Sequence, residues 1–253
     1  MAFTNSPLVS FTQISPNKSI RKGDKIDMVI IHCVVGQCGV EALGSRFAQP
    51  SVGASSNYGI GYDGRVGMYV EEKDRAWASG GVDKNNKPIR VNGISGADID
   101  HRAVSIECAC DAYAPYKVND NVYATLINLL ADICKRNNIA ELKWQGDKTL
   151  VGNVIKQNMA VHRWFAYKSC PGDYLYNRHG EIADAVNKKL MEDDEDMVRW
   201  STINDVPEGF YRDTVKQLMQ DSIIKGKADG VIDITEDMLR TMIFCQRIME
   251  ARK

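Results

Sequence analysis

The sequence has no apolar run approaching the roughly 18 residues that a bilayer-spanning helix needs. Its opening residues also lack the basic stretch followed by an apolar stretch that marks a secretory signal peptide. We therefore expect no membrane span and synthesis in the cytoplasm without a signal peptide. An excess of either charge is missing too, because 32 Lys and Arg stand against 33 Asp and Glu. That balance removes the electrostatic reason to expect a nucleic-acid partner.

Cysteines are few, and their number is odd. The chain has seven in 253 residues, without the density of a disulfide framework. Cys108, Cys110 and Cys134 lie in apolar stretches, where reduced thiols pack as small hydrophobic groups. Cys33 and Cys38 are also expected to be unpaired, since their spacing is not a recognised redox motif. The cysteines therefore favour synthesis in a reducing compartment.

The length of the chain allows one substantial domain and a smaller one. Residues 26–31 form a nearly continuous apolar run, typical of a strand buried on both faces, and 66–70 and 104–109 are further strand candidates. Residues 121–137 and 180–191 carry apolar side chains at three- and four-residue spacing, typical of amphipathic helices. Strands alternating with helices predict an α/β fold.

A run of five acidic residues ending at Asp196 separates two parts of the chain. Like charges repel, so we predict an acidic linker over residues 192–198. The linker follows a domain over residues 1–191 and precedes a small all-α C-terminal module over residues 199–253, with short helices joined by a Gly-containing turn. Within the first domain, residues 83–100 are rich in Asn and Gly and are expected to be a surface loop at the edge of a binding groove.

Three side chains stand out as possible metal ligands: His32 at the end of the first predicted strand, and then His162 and Cys170. Two imidazoles and a thiolate suit zinc, and three protein ligands leave a coordination position for water. Spacing alone is a weak signal, because a lone histidine at a strand end is more often a satisfied core residue. His179 lies in a polar stretch and is expected to be exposed rather than a ligand.

Four segments follow one another along the chain: IDMVIIHCVVG, SSNYGIGYDGRVGMYVEEKDRAWASG, HRAVSIECA and AVHRWFAYKSCPGDYLY. Together they resemble the zinc amidases related to phage lysozymes and peptidoglycan-recognition proteins, over about residues 26–190. The resemblance implies a mixed central β-sheet flanked by α-helices, with Zn²⁺ bound by His32, His162 and Cys170. It also implies hydrolysis of the amide bond between N-acetylmuramic acid and the first L-alanine of the peptidoglycan stem peptide.

The same resemblance gives roles to three further residues. Lys168 stands two positions before the last ligand, where it is expected to stabilise the oxyanion formed when water attacks the carbonyl; a solvated loop lysine is the alternative. Glu107 is expected to be the general base on that water, because an acidic residue among apolar neighbours would be costly without such a partner. Tyr58 matches a tyrosine that other branches place beside the zinc. The division of labour between Glu107 and Tyr58 stays open.

The C-terminal residues 203–248 resemble a diverged S-layer-homology-type module. Such modules anchor proteins to wall polymers, which raises the effective concentration of an enzyme at an insoluble substrate. The expected partners are therefore peptidoglycan and a cell-wall polymer. The alternative is a dimerisation tail, and with it a homodimer.

Other functions remain open on the sequence alone. A non-catalytic relative would bind peptidoglycan without cutting it, although Cys170 and Glu107 favour an enzyme. A cytosolic amidase would recycle soluble muropeptides, but a soluble substrate needs no anchoring tail. A cytoplasmic regulator would use the same fold to bind a protein. Without a signal peptide, a wall-lysing enzyme is expected to reach the bacterial cell wall after release through a holin pore or by lysis.

Overall fold

The apolar run that begins at Ile26 lies inside a six-stranded mixed sheet. Numbered along the chain, the strands are β1 (Val9–Thr12), β2 (Lys18–Ile20), β3 (Met28–Cys33), β4 (Tyr58–Ile60), β5 (Val66–Met68), β6 (Asp74–Ala76), β7 (Arg90–Val91), β8 (Ile94–Ser95), β9 (Ala103–Cys108), β10 (Met159–Ala160), β11 (Arg199–Trp200) and β12 (Ile234–Thr235). The main sheet has the order β1-β5-β4-β9-β3-β10. Only the β4–β5 pair in it is antiparallel.

The described residues contain seven α-helices. They are α1 (Val40–Phe47), α2 (Gly96–Asp100), α3 (Asp120–Arg136), α4 (Gly172–Tyr176), α5 (His179–Glu195), α6 (Phe210–Gln220) and α7 (Glu236–Glu250). The structure, a computed structural model, describes residues 3–23, 25–195, 198–226 and 230–250. In those ranges, no helix has the length and apolar character needed to cross a membrane. The chain has the predicted α/β fold with a mixed central sheet.

Strand β3 and helix α3 agree closely with the sequence-based prediction. All six residues of β3 are buried, as expected for a strand covered on both faces. The apolar stripe of α3 is fully buried against the sheet, and the Asn119 side chain accepts a hydrogen bond from the Val122 N–H at the start of the helix. Ile182 and Val186 of α5 pack into the same core. These contacts fix β3 and β9 in the middle of the domain.

Residues 83–100 are more ordered than the predicted surface loop. They contain the β7–β8 hairpin and helix α2. Helix α2 begins with a capping box, in which Ser95 accepts from the Asp98 N–H and the Asp98 side chain accepts from the Ser95 N–H. The capping box therefore fixes the start of α2, and the helix ends at Asp100.

The chain divides into two compact units, Met1–Leu190 and Met191–Lys253. The acidic run does not start a linker at residue 192, because α5 continues to Glu195; residues 196 and 197 lie outside the described residues. Unit 2 contains α6 and α7 around its own core, which includes Trp200, Val215 and Leu239. It also contains the antiparallel β11–β12 pair, so the all-α expectation was incomplete.

Candidate active site

The predicted metal ligands meet at one edge of the main sheet. Strands β10, β3 and β9 run parallel, so their carboxyl ends lie side by side. His32 is near the end of β3, and His162 begins a single 3-10 turn just after β10. Cys170 returns to the same edge, where its Sγ lies 3.4 Å from Nδ1 of His32. The ligand atoms of the three residues all lie within 4.8 Å of one another.

The donor set at this cluster fits a zinc ion. Tetrahedral zinc, with bonds of about 2.0 Å to nitrogen and about 2.3 Å to sulfur, separates two such donors by about 3.5 Å. The Nε2 atoms of His32 and His162 are buried and have no hydrogen-bond partner, which is costly unless another group satisfies them. Burial lowers the pKa of His32 well below its usual range and that of His162 to about 4, with Lys168 adding to both effects. Both imidazoles are therefore neutral, as metal ligands must be.

Glu107 lies beside this cluster because of the β3–β9 register. It pairs with His32 across the two strands, so both side chains point to the same face of the sheet. Its Oε2 is buried and has no hydrogen-bond partner. Burial raises the pKa of Glu107 to about 7, with Cys110 adding to the rise and Lys168 and Arg46 opposing it. This carboxyl group is available to exchange protons near neutral pH.

A cavity of about 710 Å³ opens over the cluster and has a volume typical of a small-molecule site. Glu107, His162, Lys168 and Cys170 all line it. Lys168 is exposed, and its positive charge lowers the pKa of both imidazoles and of Glu107. The structure thus brings together five of the six predicted site residues.

Tyr58 is the exception, and its predicted place beside the zinc was wrong. Tyr58 pairs with Ile106 of β9, one position from Glu107, and packs with Ile106 in the core on the α3 side of the sheet. Its hydroxyl donates to Glu72 Oε1 at 2.8 Å and accepts from the Ser6 N–H at 2.9 Å. Alternate residues of a strand face opposite sides, so Tyr58 and Glu107 cannot share a site.

His179 also differs from its prediction. It is fully buried, its Nδ1 donates to the Leu175 carbonyl at 2.7 Å, and its ring lies 4.5 Å from that of Trp144. The sequence contained a signal for this, because His179 precedes Ile182 by three residues and so extends the buried stripe of α5. It lies in the core and does not belong to the metal cluster.

Several residues that line the cavity were not singled out from the sequence. They include Arg46 in the last turn of α1, Ser55 and Trp77. Trp77 and Ser55 exchange hydrogen bonds, since the Ser55 N–H donates to the Trp77 carbonyl and the Trp77 N–H donates to Ser55 Oγ. Their place at the cavity depends on loop conformations that have no periodic signal in the sequence.

Comparisons with known proteins bear on the class of this site. Residues 22–173 match the family described as Amidase_2, N-acetylmuramoyl-L-alanine amidase. No curated protein sequence matches the chain. Among solved structures, a selenomethionine AmpD derivative is 19% identical with a TM-score of 0.49, covering 75% of this chain and 99% of that chain. The amidase LysC from Clostridium intestinale is 15% identical (TM-score 0.42, 69% and 96%), and the Drosophila peptidoglycan recognition protein SA is 18% identical (TM-score 0.43, 65% and 81%).

Because the family match covers more than half of the chain, the protein belongs to the N-acetylmuramoyl-L-alanine amidase family. It is an enzyme that hydrolyses the amide bond between N-acetylmuramic acid and L-alanine in peptidoglycan. The predicted family and reaction are confirmed. The resemblance of the C-terminal module to S-layer-homology modules stays a prediction.

Proposed function

We propose that the enzyme is a zinc-dependent amidase in which His32, His162 and Cys170 hold the metal, Glu107 is the general base and Lys168 stabilises the oxyanion. One observation carries the proposal: the ligand atoms of two buried imidazoles and a thiol lie within 4.8 Å of one another, and Glu107, whose Oε2 lacks a partner, lines the same cavity as His162 and Cys170. A zinc ion bound there would polarise the amide carbonyl as a Lewis acid and lower the pKa of water.

Glu107 would move the proton in this reaction. Glu107 lines the cavity and its Oε2 has no hydrogen-bond partner, so it is free to accept a proton from the water that attacks the carbonyl carbon. As the carbon–nitrogen bond breaks, the same carboxyl group returns the proton to the nitrogen, and the stem peptide leaves with its L-alanine nitrogen as a neutral amine. The enzyme ends the cycle in its starting protonation state.

Lys168 would act on the charge of the oxyanion. Lys168 lines the same cavity and is exposed, so its ammonium group can approach the carbonyl oxygen of a bound substrate. That oxygen gains negative charge as water adds, and a positioned cation stabilises the transition state more than the ground state. Lys168 therefore contributes to kcat rather than to substrate affinity.

Two substitutions separate metal binding from proton transfer. Glu107→Gln keeps the shape of the side chain but cannot accept the proton, so we expect zinc content near that of the parent and a loss of activity of about 10²-fold or more. His162→Ala removes a ligand, so zinc content and activity should fall together. Zinc per chain, by atomic absorption, and release of L-alanine amino termini are the two measurements.

The matched control is Glu141→Gln, an exposed glutamate outside the cavity whose replacement should change neither quantity. A fully active Glu107→Gln enzyme would rule out the assigned base. Normal zinc content in His162→Ala would show that His162 is not a zinc ligand.

We also propose that unit 2 binds a polymer of the cell wall. A cavity of about 630 Å³ on this unit is lined by Phe210, Phe244, Arg240 and Arg247, and both phenylalanines are exposed. Aromatic faces stack on sugar rings, and guanidinium groups pair with anionic groups on a polymer. Such a contact would hold the enzyme at its insoluble substrate.

Sedimentation with purified cell walls tests this second proposal. The assay uses the full chain carrying Glu107→Gln, so that the wall is not digested. Adding Phe244→Ala or Arg247→Glu should release the protein into the supernatant, whereas Lys225→Glu, an exposed charge reversal outside the cavity, should not. If the cavity variants sediment normally and instead change the mass in solution, the surface is a dimer contact and wall binding by this cavity is wrong.

The place of action follows from the substrate, which is the bacterial cell wall. We propose that the enzyme reaches it after release from the cytoplasm, through a holin pore or by lysis. Expression in the cytoplasm with and without a pore-forming protein tests this: lysis only when the pore is present is the expected result. Lysis without the pore would show another route of export.

A further inference from the structure

Residues 77–82, which we call the support loop, connect the cavity to the ligand His162. Trp77 and Ala78 line the cavity at one end of the loop. At its centre, the backbone of Gly80 makes a hydrogen bond with the ring of His162, and this bond raises the pKa of the imidazole. A backbone group that raises this pKa accepts the bond, so the ring N–H is the donor and the Gly80 carbonyl is the acceptor. At the other end, the Val82 carbonyl accepts from the Tyr167 N–H at 2.9 Å. The loop therefore supports the segment that carries His162.

A single carboxylate holds this loop in place. Asp100, the last residue of α2, is 2% exposed, and its Oδ2 accepts from the Ala78 N–H at 3.1 Å and from the Ser79 N–H at 3.0 Å. The position of Asp100 is itself fixed, because Arg21 donates to its backbone carbonyl at 2.9 Å. Hydrogen bonds to a buried carboxylate are among the stronger ones in proteins.

Close packing leaves the loop little freedom to shift. A Cβ atom on Gly96, at the start of α2, would lie only 1.8 Å from the Ser79 carbonyl oxygen. On the other side, a Cβ atom on Gly81 would lie 2.3 Å from the Cβ of Ala166, in the segment that follows His162. Helix α2, the support loop and the His162 segment thus form three layers in direct contact.

We propose that Asp100 is a positioning residue for the metal centre: it holds the support loop so that the Gly80 carbonyl orients the His162 ring with its Nε2 towards the other two ligands. A hydrogen bond from the second ring nitrogen fixes the tautomer and orientation of a metal-binding histidine. Asp100 does not line the cavity, and its side chain bonds to the Ala78 and Ser79 amides, so it acts through residues 78–80. The inference rests on the zinc site proposed above.

Zinc affinity of the full chain is the test, measured by competition with a chromophoric chelator. Asp100→Ala removes the acceptor of both N–H groups, so we expect zinc to bind about 10- to 100-fold more weakly. Asp100→Asn keeps one side-chain oxygen that can accept both hydrogen bonds, so it should restore most of the affinity. The visible spectrum of the cobalt-substituted protein should change in Asp100→Ala and return towards the parent in Asp100→Asn.

The matched control is Glu72→Gln. Glu72 is also fully buried, but its carboxylate accepts from Tyr58, Arg136 and Asn137, none of which lines the cavity. This variant should lose stability without losing zinc affinity. If Asp100→Ala binds zinc as tightly as the parent protein and differs only in melting temperature, Asp100 is merely structural and the proposal is wrong.

A second variant covers the case in which Asp100→Ala does not fold. Gly96→Ala leaves Asp100 intact but pushes against the Ser79 carbonyl, so it should displace the support loop and weaken zinc binding. Unchanged zinc affinity in a folded Gly96→Ala protein would contradict the proposal. Failure of the parent chain itself to bind zinc would instead overturn the proposed metal site, so the two failures are distinguishable.

Discussion

Side-chain direction along β3, β4 and β9 determines which polar residues can reach the cavity. His32 and Glu107 are partners across β3 and β9 and point to one face, while Tyr58 on β4 is partner to Ile106 and points to the other. A shift of one residue in register would exchange these faces. The chemistry of the site therefore depends on the register as much as on the residue types.

Replacing Tyr58 tests this account of the two faces. Tyr58→Phe removes the donor to buried Glu72 and the acceptor of the Ser6 N–H, so the free energy of unfolding should fall by about 1–3 kcal/mol. Turnover should stay close to that of the parent, because the hydroxyl lies on the α3 side. Denaturant unfolding and the amidase assay are the measurements. A large loss of kcat at unchanged stability would contradict this account and show that Tyr58 acts in catalysis.

His179 predicts a specific pH dependence of stability. Burial lowers its pKa from 6.5 to about 4, with the bond to Leu175 opposing the shift and Arg163 adding to it. The unfolded chain takes up a proton below pH 6.5, and the folded chain does so only near pH 4. The contribution of neutral His179 is therefore present above pH 6.5 and is lost as the pH falls towards 4, by about 3 kcal/mol in total.

His179→Phe removes that titration while keeping an aromatic ring beside Trp144. In metal-free protein, the loss of unfolding free energy between pH 7.5 and pH 4.5 should be about 2–3 kcal/mol smaller in the variant than in the parent. His32 and His162 are common to both proteins, so the difference isolates His179. Equal losses would mean that His179 is not buried in its neutral form.

At the scale of elements, helix α3 supports the face of the sheet opposite the active site. Its buried stripe packs under β4 and β9, and its first turn is closed by Asn119. The Asn119 amide group also donates to the Tyr62 carbonyl at 2.8 Å, which ties the helix start to the loop between β4 and β5. Packing of this helix is thus a condition for the register that aligns the site residues.

Loss of the Asn119 cap should weaken the fold without changing the chemistry. Asn119→Ala should lower the free energy of unfolding by about 1–2 kcal/mol, because the Val122 N–H loses its acceptor. The control is Asn121→Ala, at an exposed site two residues after Asn119. Its free energy of unfolding should stay within about 0.5 kcal/mol of that of the parent. Equal effects of both variants in urea unfolding would contradict the capping role.

The elements with a strong periodic signal were predictable, and those without one were not. Strand β3 and helix α3 follow from the apolar run and the apolar stripe. The two-residue strands β7 and β8 are too short to produce an alternating pattern. Helix α5 continued into the acidic run, because repulsion of a few tenths of a kcal/mol per pair does not outweigh helix hydrogen bonds.

The candidate site was predictable only in part, for a related physical reason. A resemblance gives the identity of the candidate ligands, and the structure shows their separation. The sequence does not give the strand register that turns Tyr58 away, nor the long-range contact between Asp100 and the Ala78 and Ser79 amides. Such contacts form between residues with no regular spacing, so no local pattern indicates them.

At the scale of the whole molecule, each unit has a core of its own, which suits separate tasks in catalysis and attachment. A chain shortened to residues 1–190 should hydrolyse soluble muropeptides at the parent rate. On intact walls at low enzyme concentration it should act at least about 10-fold more slowly, because the proposed attachment through unit 2 would be lost. Equal rates on intact walls would contradict an anchoring role for unit 2.

The most direct test of the central claim is end-group analysis of purified peptidoglycan after digestion, with and without a zinc chelator. The account predicts new N-terminal L-alanine without new reducing sugar ends, loss of that release with the chelator, and its return when zinc is added back. New reducing ends would mean that a glycosidic bond is cut instead. Release of L-alanine that persists in protein shown to be metal-free would contradict zinc-dependent hydrolysis at His32, His162 and Cys170.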